Sequence, residues 1–270
     1  MAMRQEVAEA VKQLRPLPKV VMRLVELLES DTATTEQIEA VMTADPVMCG
    51  RVLQVANSAY YGLERQISTI HHALLVLGSQ TVKGIALSVA AVGALQTGRG
   101  VSAMERGLWR HAFYTALCAR TIALTCKWGV RVAEDAYIVG LLHDIGALFL
   151  MTRYQARYQP LTAIADEAER LEHEVQLFGC DHADVGAMIA DYWRLPERIV
   201  QAIAHHHAPC LPDGENRRLL AAVLQAEAWS HGGGAPAEVA ALVYLGEQER
   251  ASIEAHAQQQ AALYEQMLFS

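Results

Sequence analysis

Apolar residues recur at intervals of three and four along nearly the whole chain, and alternation of period two is absent. Ala, Leu, Glu and Gln fill these stretches, a composition that favours helix. Leu17–Leu28 carries Val21, Leu24, Val25 and Leu28 on one stripe, with Pro18 in its first turn. Thr34 with Gln37 reads as a capping box opening a helix through Met42. Asp45–Pro46 is an N-cap followed by proline, and predicts a helix through about Asn57. Gly62 breaks the chain; helices are then expected over Ile70–Leu77 and, after Gly78 and a Ser79 cap, Gln80–Leu95. Gln96–Ala103 is the best internal boundary. Beyond it the pattern predicts helices over Met104–Lys127, Glu134–Thr152, Pro160–Leu177, His182–Arg194, Pro196–His207 and Arg217–Ser230. Gly232–Gly234 with Pro236 interrupts again, before a last helix over Glu247–Leu268. Its stripe of Ile253, Ala257, Ala261, Tyr264 and Leu268 suits packing on its own domain or on another chain. The expectation is an all-α protein: an N-terminal helical subdomain (14–98), a second helical bundle (104–231) and a C-terminal helical extension (236–270).

Composition narrows the classes. Hydrophobic residues make up 52% of the 270 and charged ones 19%, enough for a sizeable core and too little charge for a disordered chain. The net charge of −8 and the lack of a basic run argue against nucleic-acid binding. Five scattered cysteines without a C-x-x-C read as free thiols in a reducing compartment. The mixed polar stretch Met1–Lys12 is unlike a signal peptide, and the uncharged run Gly84–Thr97 is too short to span a bilayer. A cytoplasmic protein without a membrane partner is expected.

The histidines carry the chemistry. His143 and Asp144 stand side by side within the apolar run Ala136–Met151. Buried polar groups need partners, and neutral imidazole with carboxylate suits several divalent metals. Alternatively, Asp144 caps a turn or bonds a neighbouring histidine. His111 lies on a face with Leu108, Thr115, Cys118 and Ile122. His182 shares a stripe with Val185, Gly186 and Ile189, and so points inward. His206 and His207 end a helix, where the dipole favours histidine in any case, and His205 is expected to face solvent. His71 and His72 read as surface residues, while His173, His231 and His256 receive no role. Glu227 follows the inward face of Leu220, Val223 and Leu224, either half-exposed or as a partner of the histidine pocket.

The order His111, His143-Asp144, Glu227 resembles the H…HD…D framework of the HD phosphohydrolase superfamily. The finer resemblance is to the HDOD (HD-related output domain) family. It rests on Leu17-Pro18, on Asp45-Pro46, and on the stretch from Arg51 through Asn57 and Tyr60 to Gly62. Ile70 to Gly78, Phe178 to Gly186, Trp193 to Pro196, and Ile203 to His207 continue it, so that it covers about Leu14 to His231. It implies an N-terminal helical bundle packed on an HD-like bundle, and bacterial signal transduction. It also implies that most members are non-catalytic, having lost parts of the metal site. Here the loss is incomplete. His111, His143 and Asp144 match the first three HD ligand positions, and Glu227 stands for the final aspartate. His182, His206 and His207 are similar to the extra histidines of the HD-GYP phosphodiesterases. Ala147 replaces the phosphate-holding lysine of H-D-x-G-K, and Ala208-Pro209-Cys210 replaces the Gly-Tyr-Pro signature.

Two functions follow. The first is a signalling output module that acts through a protein partner or a ligand, with a partly retained metal pocket. In it, Asp45, Pro46, Arg51, Asn57, Tyr60 and Gly62 serve packing between the halves. The second is a metal-dependent phosphohydrolase for nucleotides or cyclic dinucleotides. It would use one or two divalent transition ions (Fe, Mn, Zn or Ni) held by His111, His143, Asp144, His182, His206, His207 and Glu227.

Overall fold

The structure is a computed structural model that describes residues 2–28, 34–57, 66–95, 101–208, 210–214 and 216–269. Among these every regular element is helical. The N-terminal part comprises α1 (Ala2–Val11), α2 (Lys19–Leu28), α3 (Thr35–Thr43), α4 (Pro46–Ala56), α5 (Ile70–Leu77) and α6 (Ser79–Leu95). The second part comprises α7 (Ala103–Thr125), α8 (Val130–Leu142), α9 (Ile145–Arg153), α10 (Gln155–Tyr158), α11 (Glu167–Phe178), α12 (His182–Tyr192), α13 (Glu197–Ala204) and α14 (Asn216–Ser230). Helices α15 (Ala237–Leu242) and α16 (Glu247–Phe269) close the chain.

Caps set several starts as expected. Thr34 and Gln37 form the capping box of α3. The Asp45 carboxylate accepts from the Val47 and Met48 amides at 3.1 and 3.0 Å, and Pro46 takes the first turn of α4. Asn57 fixes the chain beyond α4. Its side chain donates to the Leu53 and Ile67 carbonyls (2.8 and 2.7 Å) and accepts from the Ile67 amide (2.7 Å). Arg51 is solvent-exposed, and Tyr60, Gly62 and residues 96–100 of the expected boundary lie outside the described residues.

Helix α6 joins the halves. It packs on α2, α4 and α5 on one side and on α8 and α9 on the other. Gly84 allows the approach, since a Cβ there would meet the Tyr137 ring at 3.2 Å. The Tyr137 hydroxyl meets Ser88 Oγ at 3.1 Å. The signature helix α4 packs on α3, α5, α6 and α16, so most of its packing lies within the N-terminal part. Helix α1, read from sequence only as a polar start, instead packs on α11 and α12. The tail packs in cis: α16 lies along α7, with Tyr264 fully buried and stacked on Phe113 at 5.1 Å.

Two expected helices are divided. Glu134–Thr152 is interrupted between α8 and α9 at His143 and Asp144, where Asp144 (φ −93°, ψ 12°) leaves the helical geometry. Pro160–Leu177 is replaced by a 3-10 turn (Gln159–Ala163) and by α11, whose start is capped by Asp166 accepting from Glu169 N at 2.8 Å. The stretch Val130–Arg153 has the length and apolarity of a membrane span, but as α8 and α9 it lies mostly buried in the protein. All five cysteines are free.

The three Asn57 bonds tie the end of α4 to the Ile67 backbone. Replacing Asn57 with Ala is expected to cost roughly 2 kcal/mol and lower the melting temperature by several degrees. A thermal melt measures it, and an unchanged midpoint would show that those bonds carry no stability.

Candidate metal centre

Five imidazoles and two carboxylates from α7, the α8–α9 junction, α12, the end of α13 and α14 meet in one place. They form two groups: His111, His143 and Glu227, and Asp144, His182, His206 and His207. In the first, His111 Nε2 lies 3.2 Å from His143 Nε2 and 3.0 Å from Glu227 Oε1, and His143 Nε2 lies 3.2 Å from that same oxygen. In the second, His182 Nε2 lies 2.8 Å from His207 Nε2 and 3.2 Å from Asp144 Oδ1.

Asp144 belongs to both. Its Oδ2 faces His143 and His111 at 3.3 and 3.7 Å, while its Oδ1 faces His182 and His206 at 3.2 and 3.9 Å. The interrupted helix explains how. In a continuous helix, neighbours diverge by about 100°. The departure at Asp144 instead brings its carboxylate beside the His143 ring. Close backbone packing then delivers α12: a Cβ on Gly146 would lie 2.0 Å from the His182 carbonyl oxygen and 2.6 Å from the Gly186 nitrogen. Only glycine permits that crossing.

The rings are aimed by their outer nitrogens. His143 Nδ1 donates to the Gly140 carbonyl (2.7 Å) and His206 Nδ1 to the Ile203 carbonyl (2.6 Å). His182 Nδ1 donates to Glu174 Oε2 (2.8 Å), which also accepts from the His182 amide at 2.7 Å. The fully buried Glu174 is steadied by the Tyr158 hydroxyl, which donates to Oε1 at 2.7 Å. Carbonyls and carboxylates only accept, so each Nδ1 carries a proton and each neutral ring presents its Nε2 lone pair inward. Thr115 Oγ1 likewise donates to Glu227 Oε1 at 2.9 Å.

Electrostatics fit a cation. Burial opposes charge on His143, yet the Asp144 and Glu227 carboxylates hold its imidazole well above its ordinary value. Burial opposes charge on His182 too, but its bonds to Asp144 and Glu174 raise it to about 10. Burial would also raise both carboxyls; instead His143 holds Asp144 and Glu227 well below the usual carboxylate range, aided by His182 and His111 respectively. Burial, followed by the neighbouring imidazoles, drives His206 well down and His207 to about 3. The site thus holds proton charge on His143 and His182, while His206 and His207 stay neutral. His206 Nε2 is the informative atom. It is buried, faces Asp144 and has no hydrogen-bond partner. An orphaned lone pair beside a carboxylate, in a mixed imidazole and carboxylate set, fits a divalent transition metal.

All seven expected ligands therefore converge, and Glu227 is a partner of the pocket at 8% exposure rather than half-exposed. His205 faces solvent, as expected. Two participants were not read from sequence. Glu174 sits among charged residues on a largely solvent-facing helix, and its place between Leu171 and the buried Phe178 on one stripe was the available signal. His231 lies one turn past Glu227, its Nε2 3.5 Å from Oε2, and i,i+4 spacing was the available signal.

Among known proteins, the model of the HDOD domain family matches residues 14–209. This chain belongs to the HDOD family. A Geobacter sulfurreducens HDOD domain protein of unknown function has 25% identity and a TM-score of 0.73, over 96% of this chain and 86% of that one. A Shewanella amazonensis SB2B protein, named provisionally as a phosphohydrolase, has 25% identity and a TM-score of 0.67, over 97% and 95%. An uncharacterised Treponema pallidum (strain Nichols) protein is 27% identical over 220 residues, 80% of this chain; this HDOD chain spans 42% of that relative's length.

Outer partners of metal-bound histidines orient them and raise their basicity. Glu174→Gln is expected to weaken Mn²⁺ affinity by about 10–100-fold with little loss of fold. Calorimetric titration reads this, and an affinity equal to wild type would reduce Glu174 to a packing role.

Proposed function

We propose that this HDOD domain holds two divalent transition metal ions and hydrolyses phosphate esters, nucleotides or cyclic dinucleotides being the substrate class, within bacterial signal transduction. The observation that carries this reading is the placement of the Asp144 carboxylate, one oxygen turned to each histidine group. A single carboxylate placed in this way could serve two ions. His111, His143 and Glu227 would hold one ion, His182, His206 and His207 the other, and Asp144 both.

Bound divalent ions supply Lewis acidity toward a phosphoryl oxygen and lower the pKa of water. The chain supplies the rest. Gly140, Ile203 and Glu174 keep three rings from turning. His143, His182 and His206 are buried, while His111, His207 and Asp144 retain partial exposure and mark the side from which a phosphate can enter. Carboxylates and rings stay fixed before substrate arrives, so little reorganisation is needed during reaction. Ala147 supports a second reading, an output module working through a protein partner or a bound ligand. A buried methyl group in the lysine position cannot hold a phosphate. In that case metals would stabilise the domain and turnover would be absent.

Purified protein is expected to bind about two Mn²⁺ or Fe²⁺ per chain and to hydrolyse a bis-aryl phosphate or a cyclic dinucleotide. Asp144→Asn should lose both ions and all turnover, and His143→Ala should lose one. Full metal occupancy without turnover on such a panel would leave the interaction reading standing alone.

Metal binding requires neutral imidazoles, whereas His143 and His182 hold protons near pH 7 because their values are raised. Binding should therefore release about two protons, and apparent affinity should climb as pH rises from 6 to 8. Calorimetry in buffers of different ionisation enthalpy tests this. An absence of proton release would remove these two residues from the ligand set.

A further inference from the structure

A cleft of about 470 Å³ opens between α7, α14 and α16, lined among others by Arg110, His111, Tyr114, Trp229, Arg250 and Gln258. Its volume is that of a small-molecule site. His111 belongs both to this wall and to the metal centre, so the cleft borders the candidate ion site. The far wall is α16, which lies beyond the segment matched by the family model. That wall therefore lies outside the segment that defines the family.

The lining has three kinds of chemistry. The end at His111 and Arg110 faces toward the candidate ions and suits an anion. The rest of the lining offers flat surfaces: the Tyr114 ring on α7, and the Arg250 guanidinium lying 5.4 Å over the buried Trp229 ring. Aromatic faces and guanidinium planes are the surfaces on which nucleobases stack. Gln258, Ser230 and Glu254 add hydrogen-bonding groups at the edge. Both arginines are already placed, Arg110 by Glu265 at 2.5 Å and Arg250 by Glu254 at 3.1 Å, so the wall is organised before a ligand enters.

We propose that this cleft binds a single nucleotide, with its phosphate at His111 beside the metal centre and its base against the Arg250–Trp229 wall, so that the C-terminal helix selects the substrate. This rests on the two-ion reading for the phosphate end only.

Gly107 provides the test. It lines the cleft one helical turn before His111, is exposed, and a Cβ there would meet nothing within 4 Å. Gly107→Trp should fill the cleft without straining the helix, since tryptophan is a better helix former than glycine. The Mn²⁺-loaded protein is titrated with the hydrolysis-resistant phosphonate analogue of AMP and, separately, with inorganic phosphate; both are repeated without Mn²⁺. The analogue is expected to bind about tenfold or more tightly than phosphate, through base stacking. Gly107→Trp should abolish that advantage and leave Mn²⁺ stoichiometry and phosphate affinity unchanged, and Arg250→Ala should lose about fivefold. If the analogue binds no better than phosphate, or Gly107→Trp changes nothing, the cleft is not the nucleotide site. If Mn²⁺ fails to bind, the two-ion reading falls by itself. The metal-free titration then decides the cleft: Gly107→Trp-sensitive binding retains it, and no binding discards it.

Discussion

The Asp144 carboxylate, ionised inside an apolar bundle and shared between two histidine groups, is the constraint on which the rest of the molecule depends. A buried carboxylate without compensation is costly. Here the cost is met by proton charge on His143 and His182, each held above its ordinary value by the same carboxylates. That arrangement is self-consistent, but it leaves His206 Nε2 with no partner. Cations in place of the two protons would satisfy every inward nitrogen at once, and this is the physical ground for preferring a metal centre to a hydrogen-bonded core.

Much of the fold serves to hold that arrangement. The chain leaves helical geometry at Asp144, which separates α8 from α9 in the middle of a long apolar stretch. Gly146 and Gly186 then let α9 and α12 touch backbone to backbone, which fixes the distance from Asp144 to His182. Helix α11 adds Glu174 behind His182, and α1 packs over α11 and α12 from outside. Disturbing any of these layers moves an imidazole rather than merely opening a void.

The sequence made the fold class legible because helical periodicity is a local property. Stripes such as Val21 and Leu24, the Thr34–Gln37 box and the Asp45–Pro46 start need only neighbouring residues to be read. The seven ligands were legible through the order of their motifs, which a distant family shares. What escaped was non-local. Leu171 and Phe178 put Glu174 on the inward stripe of its helix, but its partners Tyr158 and His182 lie on other elements, so its role could not be read locally. The break at His143–Asp144 was hidden because Leu, Ile and Phe on both sides sustain the apolar pattern across it. Helix α1 was hidden because its polar composition masks the three buried positions Val7, Ala10 and Val11.

The alanine at 147 bears on how such a centre would work. A lysine there would place a positive charge one turn beyond Asp144, directed at phosphate; Ala147 is instead packed in the core at 4% exposure. The charge that offsets a phosphoryl group must then come from elsewhere. Two sources remain: the ions that the histidine groups would hold, and the arginines of α7 and α16 along the cleft that includes His111. Of these, Arg110 neighbours His111 on α7, and Arg250 stands on α16 across the cleft. On the proposed reading, the ions would supply the chemistry and the C-terminal helix the choice of substrate, so that the two roles would fall on different segments of the chain.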